Sequence, residues 1–69
     1  MTPAEWLALS PSERAEMVFG ARFNARMTQD AAAALIGAQR RTWLSWEASG
    51  AGHRRMSWAK YELFIRLTE

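Results

Sequence analysis

The chain has 69 residues, 49% of them hydrophobic, no cysteine and a formal net charge of +2. That length is one domain, residues 1–69, and a domain so small buries only about 60% of its unfolded-chain surface, so it must pack well or associate. Without cysteine there is no disulfide and no thiolate chemistry, a short unstapled chain fits a reducing cytoplasm, and no apolar run nears the ~18 residues of a membrane span or reads as a signal peptide.

The charge is segregated along the chain. Residues 1–38 carry Arg14, Arg22 and Arg26 against Glu5, Glu13, Glu16 and Asp30, a net −1. Residues 39–60 carry Arg40, Arg41, Arg54, Arg55 and Lys60 against Glu47 alone, a net +4. Residues 61–69 return to −1, with Arg66 against Glu62 and Glu69. A basic segment between slightly acidic ones suggests a polyanion footprint on one side of the molecule, with a plain solvated face as the alternative.

Helix signals follow one another and strand signals are missing, which predicts an all-α fold. Thr2-Pro3-Ala4-Glu5 has the form of a capping box, with Thr at the N-cap, Pro at N1 and Glu at N3. It opens a short helix over about 3–9. Ser10-Pro11-Ser12-Glu13 repeats the pattern and opens a longer helix, about 11–26. On that helix Ala15, Val18, Phe19, Arg22, Phe23 and Arg26 share one face at 3.6-residue spacing. Arg22 therefore falls inside an apolar stripe, where a guanidinium without a carboxylate partner costs several kcal/mol, on the order of the desolvation of one ion.

Thr28 caps the next helix, with Asp30 in its first turn where a negative charge suits the helix dipole. Gln29 to Ile36 is Ala-rich and helical, and Gly37 stands where a left-handed residue ends a helix. Gln39 to about Ala48 reads as a further helix. Ser49-Gly50-Ala51-Gly52 is the flexible connection, and Ser57 caps a final helix over about 58–68.

Two short helices around a glycine turn can present the second helix to a DNA groove. The first needs a small residue at the crossing, here Ala33. The second needs inward apolar residues, here Trp43 and Trp46, and outward short or planar polar ones, here Gln39, Arg40, Arg41, Thr42 and Ser45. The run from Thr28 to Glu47, with its Thr-Gln start, Leu35-Ile36-Gly37, Arg40-Arg41-Thr42 and Trp46-Glu47, resembles the helix-turn-helix of the xenobiotic-response-element family, to which phage lambda repressor and Cro belong. The likeness is close over some twenty residues and loose from residue 11 to Arg55.

The resemblance implies a lambda repressor-like bundle of about five helices, a double-stranded DNA partner, no cofactor and no metal. It implies that Gln29, Gln39 and Thr42 touch phosphates, that Arg40 and Arg41 enter the major groove, and that Ser45 reads bases one turn further along. Arginine suits this role, because its fork matches guanine O6 and N7. Leu44 projects outward, either to a thymine methyl or as an ordinary surface residue. The family pairs an Arg of the preceding helix with the Glu after the Trp, which gives Glu47 to the unpartnered Arg22. Alanine stands at positions 32 and 38, where the family has larger residues, and Trp43 exceeds the usual Val or Ile. The volumes compensate in this reading, with a tilt of the second helix.

The remaining residues are read more plainly. Arg54 and Arg55 are phosphate contacts beside the groove or solvated loop charges. His53, the only histidine, is a solvent-facing loop residue; with no Cys and no second His, a metal site is not expected. Glu13 and Glu16 are a solvated first turn rather than a catalytic pair, and no nucleophile–base set or phosphate-cradling loop points to an enzyme. On the last helix Trp58, Tyr61, Phe64 and Ile65 share one broad face, and Ala59, Leu63 and Leu67 another. One face fills the core. The other is covered by a second copy, or by the 3–9 helix acting as a lid. The expected function is repression of transcription, often of the chain's own operon, by a homodimer on an inverted repeat. The short form resembles regulators carried on phages and plasmids, some beside anti-CRISPR genes. An antitoxin of the same fold and a helical protein-interaction module, an adaptor or phage-encoded inhibitor, are the alternatives.

Overall fold

The computed structural model describes all 69 residues. Its elements in chain order are α1 (Pro3–Ala8), α2 (Pro11–Asn24), α3 (Gln29–Leu35), α4 (Arg40–Glu47) and α5 (Trp58–Thr68). There is no strand, and no helix is long and apolar enough to cross a membrane. The expected all-α bundle of five helices is what the chain forms.

Local chemistry explains the starts. Both capping boxes close: the Thr2 and Ser10 hydroxyls accept from the Glu5 and Glu13 amides, and each Glu carboxylate accepts from its cap's backbone N–H at 2.8 Å. These bonds hold both carboxyls below the ordinary carboxylate value. Thr28 and Ser57 cap α3 and α5 in the same way with their hydroxyls.

Local chemistry also explains two of the ends. Gly37 has φ +72°, and the Ala38 and Gly37 amides reach back to the Ala33 and Ala34 carbonyls at 2.9 and 3.2 Å. That is a Schellman closure, which turns the chain from α3 toward α4. A second one ends α2. The Met27 and Arg26 amides bond to the Arg22 and Phe23 carbonyls, with Arg26 left-handed at φ 57°. The helix therefore stops at Asn24 rather than near residue 26.

The core is one cluster: Trp6, Val18, Ala21, Ala32, Ala33, Trp43, Trp46, Met56 and Phe64. Alanines on α2 and α3 leave the room that two indoles of α4 fill, Trp43 being edge-on to Trp46 and 5.0 Å from the Phe64 ring centroid. Trp6 is the only buried residue of α1. Its indole N–H donates to the Met56 carbonyl at 2.7 Å, and its ring stacks on Tyr61 at 4.5 Å. One side chain thus pins α1 to both the 53–57 segment and α5.

The expected apolar face of α2 is corrected. The buried residues are Arg14, Ala15, Val18 and Ala21, while Phe19 and Phe23 are exposed and Arg26 lies beyond the helix. Arg14 is buried because its guanidinium donates to the carbonyls of Trp6, Leu7 and Leu9. A cation there satisfies the orphan acceptors at the end of α1 and suits its dipole.

Left-handed backbone costs an L-residue about 1–2 kcal/mol and costs glycine almost nothing. Arg26→Gly is therefore expected to stabilise the fold by about 1 kcal/mol, raising the melting midpoint by about 4–8 °C for a domain of this size. Thermal unfolding followed by circular dichroism measures it; an unchanged or lower midpoint would refute the strain at residue 26.

Candidate nucleic-acid interface

The site is built on α4, and α4 is held from behind by one carboxylate. Glu47 accepts two bonds from Arg22, Nε to Oε2 at 2.6 Å and Nη2 to Oε1 at 3.0 Å. It also accepts the Trp43 indole N–H, and the Gln29 amide at 3.2 Å. The donors come from α2, α3 and α4. Arg22 spends a further N–H on the Met27 carbonyl at 3.2 Å, and its guanidinium carbon lies 5.2 Å from the Phe19 ring centroid. The two side chains are only 16% and 9% exposed. Burial alone would push the Glu47 carboxyl up. The bonds from Arg22, Trp43 and Gln29, with the Arg22 charge, outweigh it and hold the carboxyl below its ordinary range. The same Glu47 partner holds the Arg22 guanidinium above its ordinary value.

The front of α4 follows from its period. Trp43 and Trp46 face the core, so Arg41, Leu44 and Ser45 lie directly opposite, with Arg40 and Thr42 on the flanks. Arg40, Arg41 and Leu44 are exposed, and Thr42 and Ser45 half-buried. Arg40 leans toward α3 and pairs with Asp30 at 3.5 Å, both side chains being more than 60% exposed. Arg41 donates to the Gln39 side chain at 3.2 Å. The Ser45 hydroxyl donates to the Thr42 carbonyl at 2.6 Å, which leaves it free to accept.

The start of α4 differs from the other four. Gln39 makes no side-chain cap bond, and no acid sits in the first turn. Two arginines occupy that turn instead, where positive charge opposes the helix dipole. Open backbone N–H groups with two guanidiniums beside them form an anion-ready end.

Beside this end runs a polar groove of about 450 Å³, lined by Gly37, Ala38, Gln39, Thr42, Trp46, Arg54, Arg55, Ser57 and Lys60. A second hollow of about 280 Å³, lined by Gln39, Arg41, Thr42, Ser45 and Arg54, continues it. The Arg54 amide donates to the Ser45 carbonyl at 3.0 Å, which ties the loop to α4. The structure therefore gathers Gln39, Arg41, Thr42, Ser45, Arg54 and Arg55 on one side. It places Gln29 elsewhere in part: one N–H of its amide donates to Glu47.

Lys60 is the residue that sequence reading left without a role. A signal was there. It stands three residues after the Ser57 cap, where α1 and α2 have glutamate, so a cation occupies another helix start. His53 is not solvent-facing. It is half-buried, its Nδ1 lies 2.6 Å from the Ala48 carbonyl, and its Nε2 is buried.

One of the two apolar faces of the last helix fills the core, and it is the face with Trp58, Tyr61, Phe64 and Ile65. Phe64 is fully buried in the core of its own chain and cannot serve a dimer contact. Trp58, Tyr61 and Ile65 pack half-buried against the core, with α1 as the lid over Tyr61, whose hydroxyl is pushed above its ordinary value by that burial. Only Leu63 and Leu67 of the expected contact residues are exposed.

Comparison of the chain with protein families, with curated proteins and with solved structures gave no match.

Removing the Glu47 carboxylate strands a guanidinium and a buried indole N–H, so Glu47→Ala is expected to lose about 3 kcal/mol. The folded carboxyl titrates below the unfolded one. Its stabilisation is therefore complete above the ordinary Glu value of about 4.3 and is lost as pH falls below it. Urea unfolding at neutral and acid pH measures both effects, and the variant is expected to lose less stability on acidification than the native chain. Equal acid losses would place the pH sensitivity elsewhere.

Proposed function

We propose that the chain is a sequence-specific DNA-binding regulator of the helix-turn-helix type, which represses transcription from a cytoplasmic location as a homodimer on an inverted repeat. The observation that carries this reading is the start of α4. It is the one helix whose N-cap side chain makes no cap bond, it has no first-turn acid, and it bears two exposed arginines. A helix whose only purpose was stability would not place them there. The Arg40–Asp30 contact is an exposed pair, worth about 0–1 kcal/mol and easily exchanged for a phosphate.

Roles follow from position. Arg41, opposite the two indoles, reads guanine by its fork. Ser45, with its proton already donated, accepts from an adenine or cytosine amino group. Leu44 meets a thymine methyl. Gln39, Thr42, Arg54 and Arg55 hold phosphates from the groove, and such contacts set register without reading sequence. Two copies on a two-fold would space their α4 helices one DNA turn apart, about 34 Å.

Selection of bound fragments from a random duplex library supplies the site and its symmetry. On that site Arg41→Ala is expected to cost about 1–3 kcal/mol and much less on random duplex. Arg54→Ala is expected to weaken both alike and to flatten the log affinity–log salt slope by about one. Fluorescence anisotropy against salt reads all of these. Negligible duplex affinity even at low salt would end the DNA reading.

A further inference from the structure

We propose that His53 is a positioning residue for the cationic rim: its imidazole clips the loop of residues 49–55 to the end of α4 and so aims Arg54 and Arg55 along the groove. The proposal rests on the duplex-binding function above and adds to it a side chain that acts through its neighbours.

The loop has no other inward anchor. From Ser49 to Arg55 only His53 is half-buried, and every other residue is exposed. A Cβ at Gly50 or Gly52 would meet nothing within 4 Å, so packing does not shape the connection there. The next fully buried side chain is Met56. Arg54 and Arg55 therefore stand on a stretch whose course hydrogen bonds must set.

Two bonds to α4 set it. The Arg54 amide donates to the Ser45 carbonyl at 3.0 Å, and the His53 Nδ1 lies 2.6 Å from the carbonyl of Ala48, the C-cap of α4. Both acceptors belong to the last turn of the helix, where carbonyls lack an intrahelical partner. One bond is a pivot. Two bonds from adjacent residues, to carbonyls three residues apart, fix the direction in which the chain leaves the helix. The His53 amide also donates to the Gly50 carbonyl at 3.0 Å and closes the turn.

The ring itself shows that stability alone does not account for it. A carbonyl can only accept, so in the neutral ring the proton sits on Nδ1. Nε2 is then a bare acceptor, and it is buried without a partner. Leaving a buried acceptor unmet costs at least as much as one neutral hydrogen bond contributes. Leucine would fill much the same space without that cost. What histidine has and leucine lacks is the δ N–H, and what that N–H fixes is the path of two arginines that line the groove with Gln39 and Thr42.

The full chain and two variants, each checked for folding by circular dichroism, test this. Nitrogen NMR of the native ring at mildly alkaline pH is expected to find the proton on Nδ1; a proton on Nε2 overturns the proposal. His53→Leu keeps the bulk and removes the N–H. It is expected to bind random duplex about fivefold more weakly and to flatten the log affinity–log salt slope by about one, as when a phosphate contact is lost. His53→Asn carries an N–H on the matching δ atom and is expected to recover both. A merely structural residue would lower the melting midpoint and leave the slope alone. An unchanged slope in His53→Leu, or an asparagine variant as weak as the leucine one, overturns the proposal. Exchange of the Arg54 amide proton, measured without nucleic acid, is expected to be faster in His53→Leu than in the other two chains, and equal rates in all three overturn it as well. A native chain that binds no duplex yet shows this order of rates refutes the DNA reading alone.

Discussion

The Glu47 carboxylate is where three helices meet, and the position of α4 depends on it. An isolated carboxylate taken from water would cost several kcal/mol, on the order of the effective penalty for one buried ion. Here it is met by a bidentate guanidinium, an indole N–H and a side-chain amide, drawn from α2, α3 and α4. No single helix can move without leaving one of these groups unpaired. The bond to Trp43 has a further effect. A large indole can be fully buried only if its N–H finds an acceptor, and Glu47, one turn along the same helix, is that acceptor. The charge cluster and the apolar anchor of α4 are therefore one device, and the outward face is stiff because the inward face is fully bonded.

The chain obeys local helix rules closely, and this makes its departures informative. Two capping boxes, two hydroxyl caps and two Schellman ends agree with the fold. Against that background Arg40, Arg41 and Lys60 set positive charge at helix starts, Gln39 leaves one start uncapped, and Gly20 sits mid-way along an unbroken long helix. Sequences that are consistent across levels break such rules where something other than stability is selected. Of these, Gln39 and Lys60 line one groove, Arg41 lines the hollow that continues it, and Arg40 stands at the same helix start, turned toward Asp30. Gly20 lies apart from it, between two exposed rings. Two separate surfaces are thereby marked, one polar and cationic, one aromatic.

Much of this was readable beforehand, for reasons that are local. Caps and glycine turns act within four residues, so the five helices could be placed to within a residue or two at most ends. The need of Arg22 for a carboxylate followed from its spacing, and the resemblance supplied Glu47. What escaped was settled at longer range. On α2 the expected stripe joined Ala15 and Val18 to Phe19 and Phe23. The buried face keeps the first two, takes in Arg14 and Ala21 and leaves both rings outside, because Trp43 and Trp46 pack from α4 against the alanine side. Arg14 escaped because its partners are carbonyls at the end of α1, and backbone acceptors leave no mark in a sequence. Phe64 escaped because the last helix has two apolar faces, and only the placement of Trp6 of α1 over Tyr61 decides which turns inward.

The cationic surface also divides its labour by how each group is held. Arg41 is steadied by Gln39 at the N-cap of α4, and Ser45 by the Thr42 carbonyl within the helix. Their positions relative to a groove are then fixed by the indoles behind them. Arg54, Arg55 and Lys60 come from the loop and from α5, and only the Arg54 backbone is tied to α4. Long side chains on such a frame adapt to a phosphate chain whatever its sequence, and their contribution is screened by salt. In the proposed reading, discrimination between sequences therefore belongs to the rigid helix and affinity to the adaptable rim. The rim supplies attraction at a distance, and the few groups in front of Trp43 and Trp46 decide where along a duplex the protein stays.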